Sequence, residues 1–217
     1  MLEVVGLNAF YGPAQALFQV SLSVARGEWV VLQGLNGAGK STLLKSLIGL
    51  EVRTEGSLRY DAGAGLADIG AWPAHRRARA GIGYVAEDRR LFTGLSVREN
   101  LQVVAGRRDA AVEARVLDLF PALKSMLGRP AGQMSGGEQQ MLAIARTLMT
   151  EPGLLLLDEP CEGLAPVLVE AIGGALVALQ ATGMTLVMAD QNQLLAEKAD
   201  RLLLLVAGKV GGPSGAV

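Results

Sequence analysis

Hydrophobic positions along this chain follow two rhythms. Residues 29–33, 154–158 and 184–189 are short, continuous apolar runs, each bounded by Gly, Pro or polar residues and each followed by a helical pattern. Strands of a parallel sheet covered on both faces read this way. A fourth run, 202–206, closes the set. Residues 2–7 and 18–24, with 56–60 later, alternate instead, and predict a smaller antiparallel sheet near the N-terminus. Between about 93 and 133 the strand signal disappears. Ser96-Val97-Arg98-Glu99 is a capping box that starts one helix, and residues 109–120 make another before Pro121. The pattern predicts a single α/β domain over 1–217, with a mostly parallel core, an N-terminal antiparallel β subdomain and a helical insertion at about 93–133. Residues 211–217 are Gly-rich and expected to fray.

Composition narrows the function. A chain of 217 residues, half of them hydrophobic, can bury a core without disulfides. With 20 Lys+Arg against 21 Asp+Glu and a pI of about 5.9, it lacks a polycationic footprint, so no nucleic-acid partner is expected. The mean hydropathy of +0.33 is high. Even so, the longest apolar stretches, 171–179 and 202–207, fall short of the ~20 residues that span a bilayer. Glu3, Asn8, Gln15, Gln19 and Arg26 interrupt the first thirty residues, which argues against a secretory signal and for a cytoplasmic protein. One cysteine, Cys161, and one histidine, His75, exclude an internal disulfide and a zinc site of His and Cys. His75 lies in a cationic helical run, Pro73 to Arg79, that reads as a solvated face.

The chemistry begins at Gly34-Leu35-Asn36-Gly37-Ala38-Gly39-Lys40-Ser41, which has the spacing of a phosphate-binding loop between a strand and a helix. From this chain's composition such a match arises by chance in under about 1% of cases. Backbone N–H groups of the loop wrap phosphates, and the following helix adds its dipole. Lys40 then reaches the β- and γ-phosphates, Ser41 ligates Mg²⁺, and Thr42 adds a hydroxyl at the α-phosphate. Much later, Leu154 to Leu157 lead into Asp158-Glu159, two carboxylates at the C-terminal end of a buried strand. Alone, the pair merely starts a loop. Beside a phosphate loop, Asp158 holds Mg²⁺ through water and Glu159 polarises the attacking water. Met134-Ser135-Gly136-Gly137-Glu138-Gln139-Gln140 heads an apolar-periodic helix, and on its own is a capping box followed by a helix.

Taken in order, these motifs resemble those of the ATP-binding cassette (ABC) ATPases, over essentially the whole chain. The resemblance rests on Tyr11, the Gly34 to Thr42 loop, Gly83-Tyr84-Val85-Ala86-Glu87 at the Q-loop, the Ser135-Gly136-Gly137 signature, Asp158-Glu159-Pro160 and Gln191 at the switch position. It implies a RecA-like P-loop NTPase core that binds ATP and Mg²⁺. It also implies that Tyr11 stacks adenine, although Tyr11 is equally readable as an ordinary aromatic. Glu87 joins Ser41 and Asp158 around the metal, Glu159 is the catalytic base, and Gln191 senses the γ-phosphate. Ser135 and Gly137, with Gly136 between them, serve the nucleotide of a second cassette.

Within that superfamily, Glu87-Asp88-Arg89-Arg90-Leu91-Phe92, Leu95 to Leu101, Ser135 to Arg146 and Gly163-Leu164-Ala165-Pro166 resemble the smaller ATPase of branched-chain amino acid importers, or of the related urea and amide importers. Cys161-Glu162-Gly163 and the stretch from Leu119 to Arg129 lean toward the urea branch. The resemblance implies a second ATPase subunit, transmembrane permease subunits against which Leu91, Phe92 and Leu95 dock, a periplasmic substrate-binding protein reached indirectly, and a peripheral place on the inner face of the membrane; the three apolar residues are equally readable as buried under the helical arm. Several positions depart from the superfamily: Glu87 for glutamine, Gln191 for histidine, Met134 and Glu138 in the signature, and Ala165 for the D-loop aspartate. A largely passive ATP-binding half of a heterodimer is the reading those departures leave open.

Overall fold

Two sheets of different construction organise the chain. The computed structural model describes residues 1–104 and 109–211. In chain order the elements are β1 (Leu2–Tyr11), β2 (Ala14–Val24), β3 (Trp29–Gln33), α1 (Lys40–Ile48), β4 (Arg53–Asp61), β5 (Leu66–Asp68), α2 (Ala74–Arg79), β6 (Ile82–Val85) and α3 (Val97–Gln102). They continue with α4 (Ala110–Leu119), α5 (Pro121–Lys124), α6 (Gly136–Leu148), β7 (Leu154–Asp158), α7 (Pro166–Ala181), β8 (Thr185–Ala189), α8 (Gln193–Ala196), β9 (Arg201–Val206) and β10 (Lys209–Val210). The N-terminal sheet runs β2-β1-β4-β5, antiparallel throughout. The second runs β10-β9-β3-β8-β7-β6, parallel except for the β10 edge.

The continuous apolar runs are explained by burial on both faces of the parallel sheet. On β7, Leu155 and Leu157 enter a core shared with α6, α7 and the helices at 97–124, while Leu154 and Leu156 enter a second core under α1 and the antiparallel sheet. The run at 202–206 behaves differently from its expected burial. Leu203 and Leu205 are buried, but Leu202, Leu204 and Val206 are exposed, because β9 lies beside the edge and no helix among the described residues covers its second face.

A fifth parallel strand, β6, pairs with β7. Its four residues include Gly83, where a Cβ would stand 2.8 Å from the Thr147 methyl, so close packing on α6 hides the strand behind a turn-forming residue type. The antiparallel strands also run longer than their alternation indicates. Register shifts between Val4 and Leu7, and again around Ala9, slip the side-chain phase and break the period of two.

In the helical segment, Ser96 and Glu99 form the expected reciprocal cap, and Asp109 caps α4. The buried side chain of Asn100 fastens the loop before α3: its Oδ1 accepts from Phe92 N at 3.0 Å and its Nδ2 donates to the carbonyls of Phe92, Leu95 and Ser96.

The cationic run 73–79 requires a correction. His75 is exposed, but Arg77 is only 2% exposed. Its guanidinium donates to Ser46 O at 2.6 Å, Leu47 O at 3.0 Å, Trp72 O at 3.0 Å and Gly70 O at 2.9 Å. The last carbonyls of a helix lack intrahelical donors and carry partial negative charge, so a buried cation finds compensation at the end of α1. Of the stretch 211–217, Gly211 donates to Leu204 O at 2.8 Å, and the rest lies outside the described residues.

Candidate nucleotide site

Strand β3 delivers the loop 34–39 directly into α1. Gly39 is the N-cap, at φ 106°, with no side-chain cap, so the first N–H groups of α1 are left for an anion. Gly34, at φ 149°, passes so close to β9 that a Cβ would overlap Leu205 O at 2.2 Å. Asn36, Gly37, Gly39, Lys40, Ser41 and Thr42 line a cleft of about 500 Å³, joined from other parts of the chain by Glu87, Glu159 and Glu162. Ala38 is buried beneath the loop, where its C=O accepts from Gly208 N.

Lys40 is 4% exposed, yet its ammonium is fully engaged. It donates to Gly34 O at 3.0 Å and Leu35 O at 3.4 Å, and pairs with Glu159 Oε1 at 3.2 Å. Glu159 follows the end of β7 in a left-handed conformation, φ 44°, with its N–H donating to Ala189 O on the neighbouring strand at 2.8 Å. That conformation is unfavourable for a residue with a Cβ and marks a side chain aimed by its surroundings.

Asp158 is buried at the same strand end. Its Oδ2 accepts from the Tyr84 hydroxyl at 3.1 Å, while Oδ1 has no hydrogen-bond partner among the described residues. Burial pushes its carboxyl up, and the facing Ser41 and Tyr84 hydroxyls pull it back. A buried carboxylate with one unpartnered oxygen, close to the Ser41 hydroxyl, offers the hard oxygen donors of a divalent cation, and fits Mg²⁺.

Gln191 stands at the rim, where its Nε2 donates to Asn36 Oδ1 at 2.6 Å. Tyr11, at the end of β1, is 40% exposed, and its hydroxyl lies 3.5 Å from Thr42 Oγ1. Nearly every residue expected on the chain's own side of the site is therefore drawn to one cleft edge. The signature is not. Ser135 and Glu138 make a reciprocal cap on α6, with Ser135 N donating to Glu138 Oε2 at 2.7 Å, and that bond holds the Glu138 carboxyl below its usual range. Ser135 and Gly136 are exposed, and Gly137 is buried with room for no Cβ, since Leu168 Cδ1 would lie 2.1 Å away.

Several residues at the site had no signal of their own. Tyr84 meets Asp158 only through strand pairing, and Phe18 joins the cleft wall from β2. Asp190 is buried at the end of β8, its carboxyl pushed up by burial, with Oδ2 unpartnered among the described residues. Cys161 is buried and its thiol is pushed up to about 12, which makes it inert. Of the three apolar residues after the Q-loop, Leu91 and Leu95 are half-buried. Phe92 is 49% exposed and lines an apolar cleft of about 430 Å³ with Ile48, Leu50 and Tyr84. No helix among the described residues is long and apolar enough to cross a membrane.

Residues 17–162 match the family model described as ABC transporter. BraG of Pseudomonas aeruginosa, a high-affinity branched-chain amino acid transport ATP-binding protein, is 43% identical over 97% of this chain and 91% of its own length. LivF of Archaeoglobus fulgidus, a probable branched-chain amino acid transport ATP-binding protein, is 38% identical over 97% of this chain and 90% of its own. The dimeric structure of MJ0796, a bacterial ABC transporter cassette, shares the fold at a TM-score of 0.86 and 24% identity, with all of both chains covered. Because the family model runs through the phosphate loop and both acids, and the relatives align over nearly the whole chain, this protein belongs to the ABC transporter family and is a nucleotide-binding ATPase of it.

Proposed function

We propose that this chain is the ATP-hydrolysing subunit of an importer for branched-chain or related amino acids, held on the inner face of the cell membrane by permease subunits. The observation that carries the catalytic part is the 3.2 Å pair between Lys40 and Glu159. A phosphate-binding cation and a carboxylate base are held against each other, so an arriving γ-phosphate competes for Lys40 and frees Glu159 to accept a proton from water. That both groups are in place supports an active cassette over a passive one. Ser41 and Asp158, with Glu87, would hold Mg²⁺, which would supply charge neutralisation at the phosphates. Gln191 gives up its bond to Asn36 and offers its amide to the γ-phosphate. Tyr11 stacks on adenine, and Ser135, Gly136 and Gly137 complete the site of a second cassette. The exposed face of Phe92 receives a permease segment.

The choice of cargo rests on the names of the relatives, and the transport assay tests it. Membrane subunits that co-purify with this chain are placed in vesicles with their substrate-binding protein. ATP-dependent uptake of leucine is expected, and uptake of urea alone would reassign the cargo. Phe92→Asp should release the ATPase from those membranes while leaving ATP binding intact; continued sedimentation with the membranes would place docking elsewhere.

A further inference from the structure

The Q-loop segment contains two consecutive arginines whose backbones are both left-handed, Arg89 at φ 61° and Arg90 at φ 46°. Two neighbouring residues with a Cβ hold this conformation only when their surroundings enforce it. Arg89 N donates to Ala86 O at 2.9 Å and Arg90 N to Asp88 O at 2.7 Å, which closes the turn.

The two side chains engage helices on opposite faces of the parallel sheet. Arg90 donates to Glu51 Oε1 at 2.7 Å, and Lys45 of α1 takes the other oxygen of Glu51 at 2.8 Å, so this arm ties the segment to the phosphate-loop helix. Arg89 reaches the signature helix instead. Its Nε donates to Gln140 Oε1 at 3.1 Å and its Nη1 to Gln139 Oε1 at 3.4 Å. A Cβ on Gly136 would lie 3.5 Å from both terminal nitrogens, so the guanidinium also lies against the first turn of α6. Gln140 is buried, and its Nε2 has no hydrogen-bond partner among the described residues, which leaves Arg89 as the contact that orients its amide. Gln139 passes the constraint on, because its Nε2 donates to Ala131 O at 3.0 Å in the turn before the signature. The backbone is held too: Arg146 Nη2 donates to Arg89 O at 3.2 Å while its guanidinium sits 5.5 Å from the Phe92 ring.

We propose that Arg89 is a positioning residue for hydrolysis: it sets the angle at which the N-terminus of α6 presents Ser135 and Gly137 to the nucleotide of a second cassette, and it makes that angle follow the Q-loop. This rests on the trans role given to the signature above. Arg89 touches no reacting atom. Its effect is confined to the surface offered to the other cassette, whereas binding in the chain's own cleft, which uses the phosphate loop, is untouched.

The test is made in full-length Glu159→Gln protein with Mg-ATP, alone and with its cognate second cassette. The parent should form an ATP-dependent dimer in one pairing by sedimentation. Adding Arg89→Met should leave the affinity of the monomer for ATP within about twofold while raising the concentration needed for dimerisation about tenfold or more, the scale of lost charged hydrogen bonds. Arg89→Lys, which restores one donor to Gln140, should recover part of the loss. Amide exchange at residues 136–140 should accelerate in Arg89→Met without change in α1. Dimerisation as tight as the parent's, unchanged exchange at 136–140, or a parallel loss of ATP affinity would each overturn the inference. A parent that stays monomeric in both pairings would instead sink the trans reading beneath it.

Discussion

The phosphate loop and the signature are both glycine-containing strand-or-turn-to-helix junctions, yet the molecule completes only one of them. At the phosphate loop, Gly39 leaves the start of α1 uncapped, Lys40 and Ser41 of α1 meet Glu159 in one cleft, and Asp158 is buried at the end of β7 just before Glu159. At the signature, Ser135 is engaged in its own capping box and Gly137 is needed for the approach of Leu168. The first junction is a site within the chain. The second is a helix start, exposed at Ser135 and Gly136, for which we propose chemistry only where another cassette supplies the nucleotide.

The largest expected effect tests the first junction's chemistry. Glu159→Gln keeps the side-chain shape and removes the base, so hydrolysis in the assembled complex should fall by about 10² to 10⁴ while ATP binding persists. Steady-state turnover near the parent's would remove Glu159 from the role of base. Next is Lys40→Ala, which leaves Glu159 without its cation and the phosphates without theirs. A loss of roughly 2 to 5 kcal/mol in ATP affinity is expected by titration calorimetry. Ser135→Arg, the matching change at the signature, should leave that affinity alone; equal losses from both would erase the contrast between the two junctions.

Gln191→Ala should slow turnover by about 1.5 to 4 kcal/mol of barrier, the scale of lost positioning hydrogen bonds. Gln191→His should retain activity. Full activity in the alanine variant would favour a passive half of a heterodimer. The smallest effect sharpens the signature side. Gly137→Ala forces a methyl against Leu168, so thermal unfolding should show a destabilisation of about 1 to 3 kcal/mol, the range for overpacking. Adding Leu168→Ala should recover part of it, and a Gly137→Ala protein as stable as the parent would mean that α6 and α7 part easily.

Much of this protein was legible without its structure because the informative residues are neighbours in sequence. The phosphate loop, the capping boxes at Ser96 and Ser135, and the apolar run ending in Asp158-Glu159 are local devices, each set by backbone geometry over a few residues. The alternation of sheet and helix, including the strand-free stretch around α3 to α5, follows from the same local periodicity.

Tertiary structure alone decided what the remaining polar residues do, because their partners are far away along the chain. Arg77 reads as one of several surface cations until α1 brings carbonyls from 31 residues upstream, and Tyr84 becomes a site residue only when β6 pairs with β7 and meets Asp158, 74 residues on. Arg89 likewise finds Gln140 across 51 residues. The exposure of Leu202, Leu204 and Val206 has the same origin, since an edge strand and a central strand share an apolar pattern and differ only in what packs over them. Local periodicity determines which elements form. Which side chain of an element becomes buried, paired or exposed depends on long-range packing, and no short window of sequence contains it.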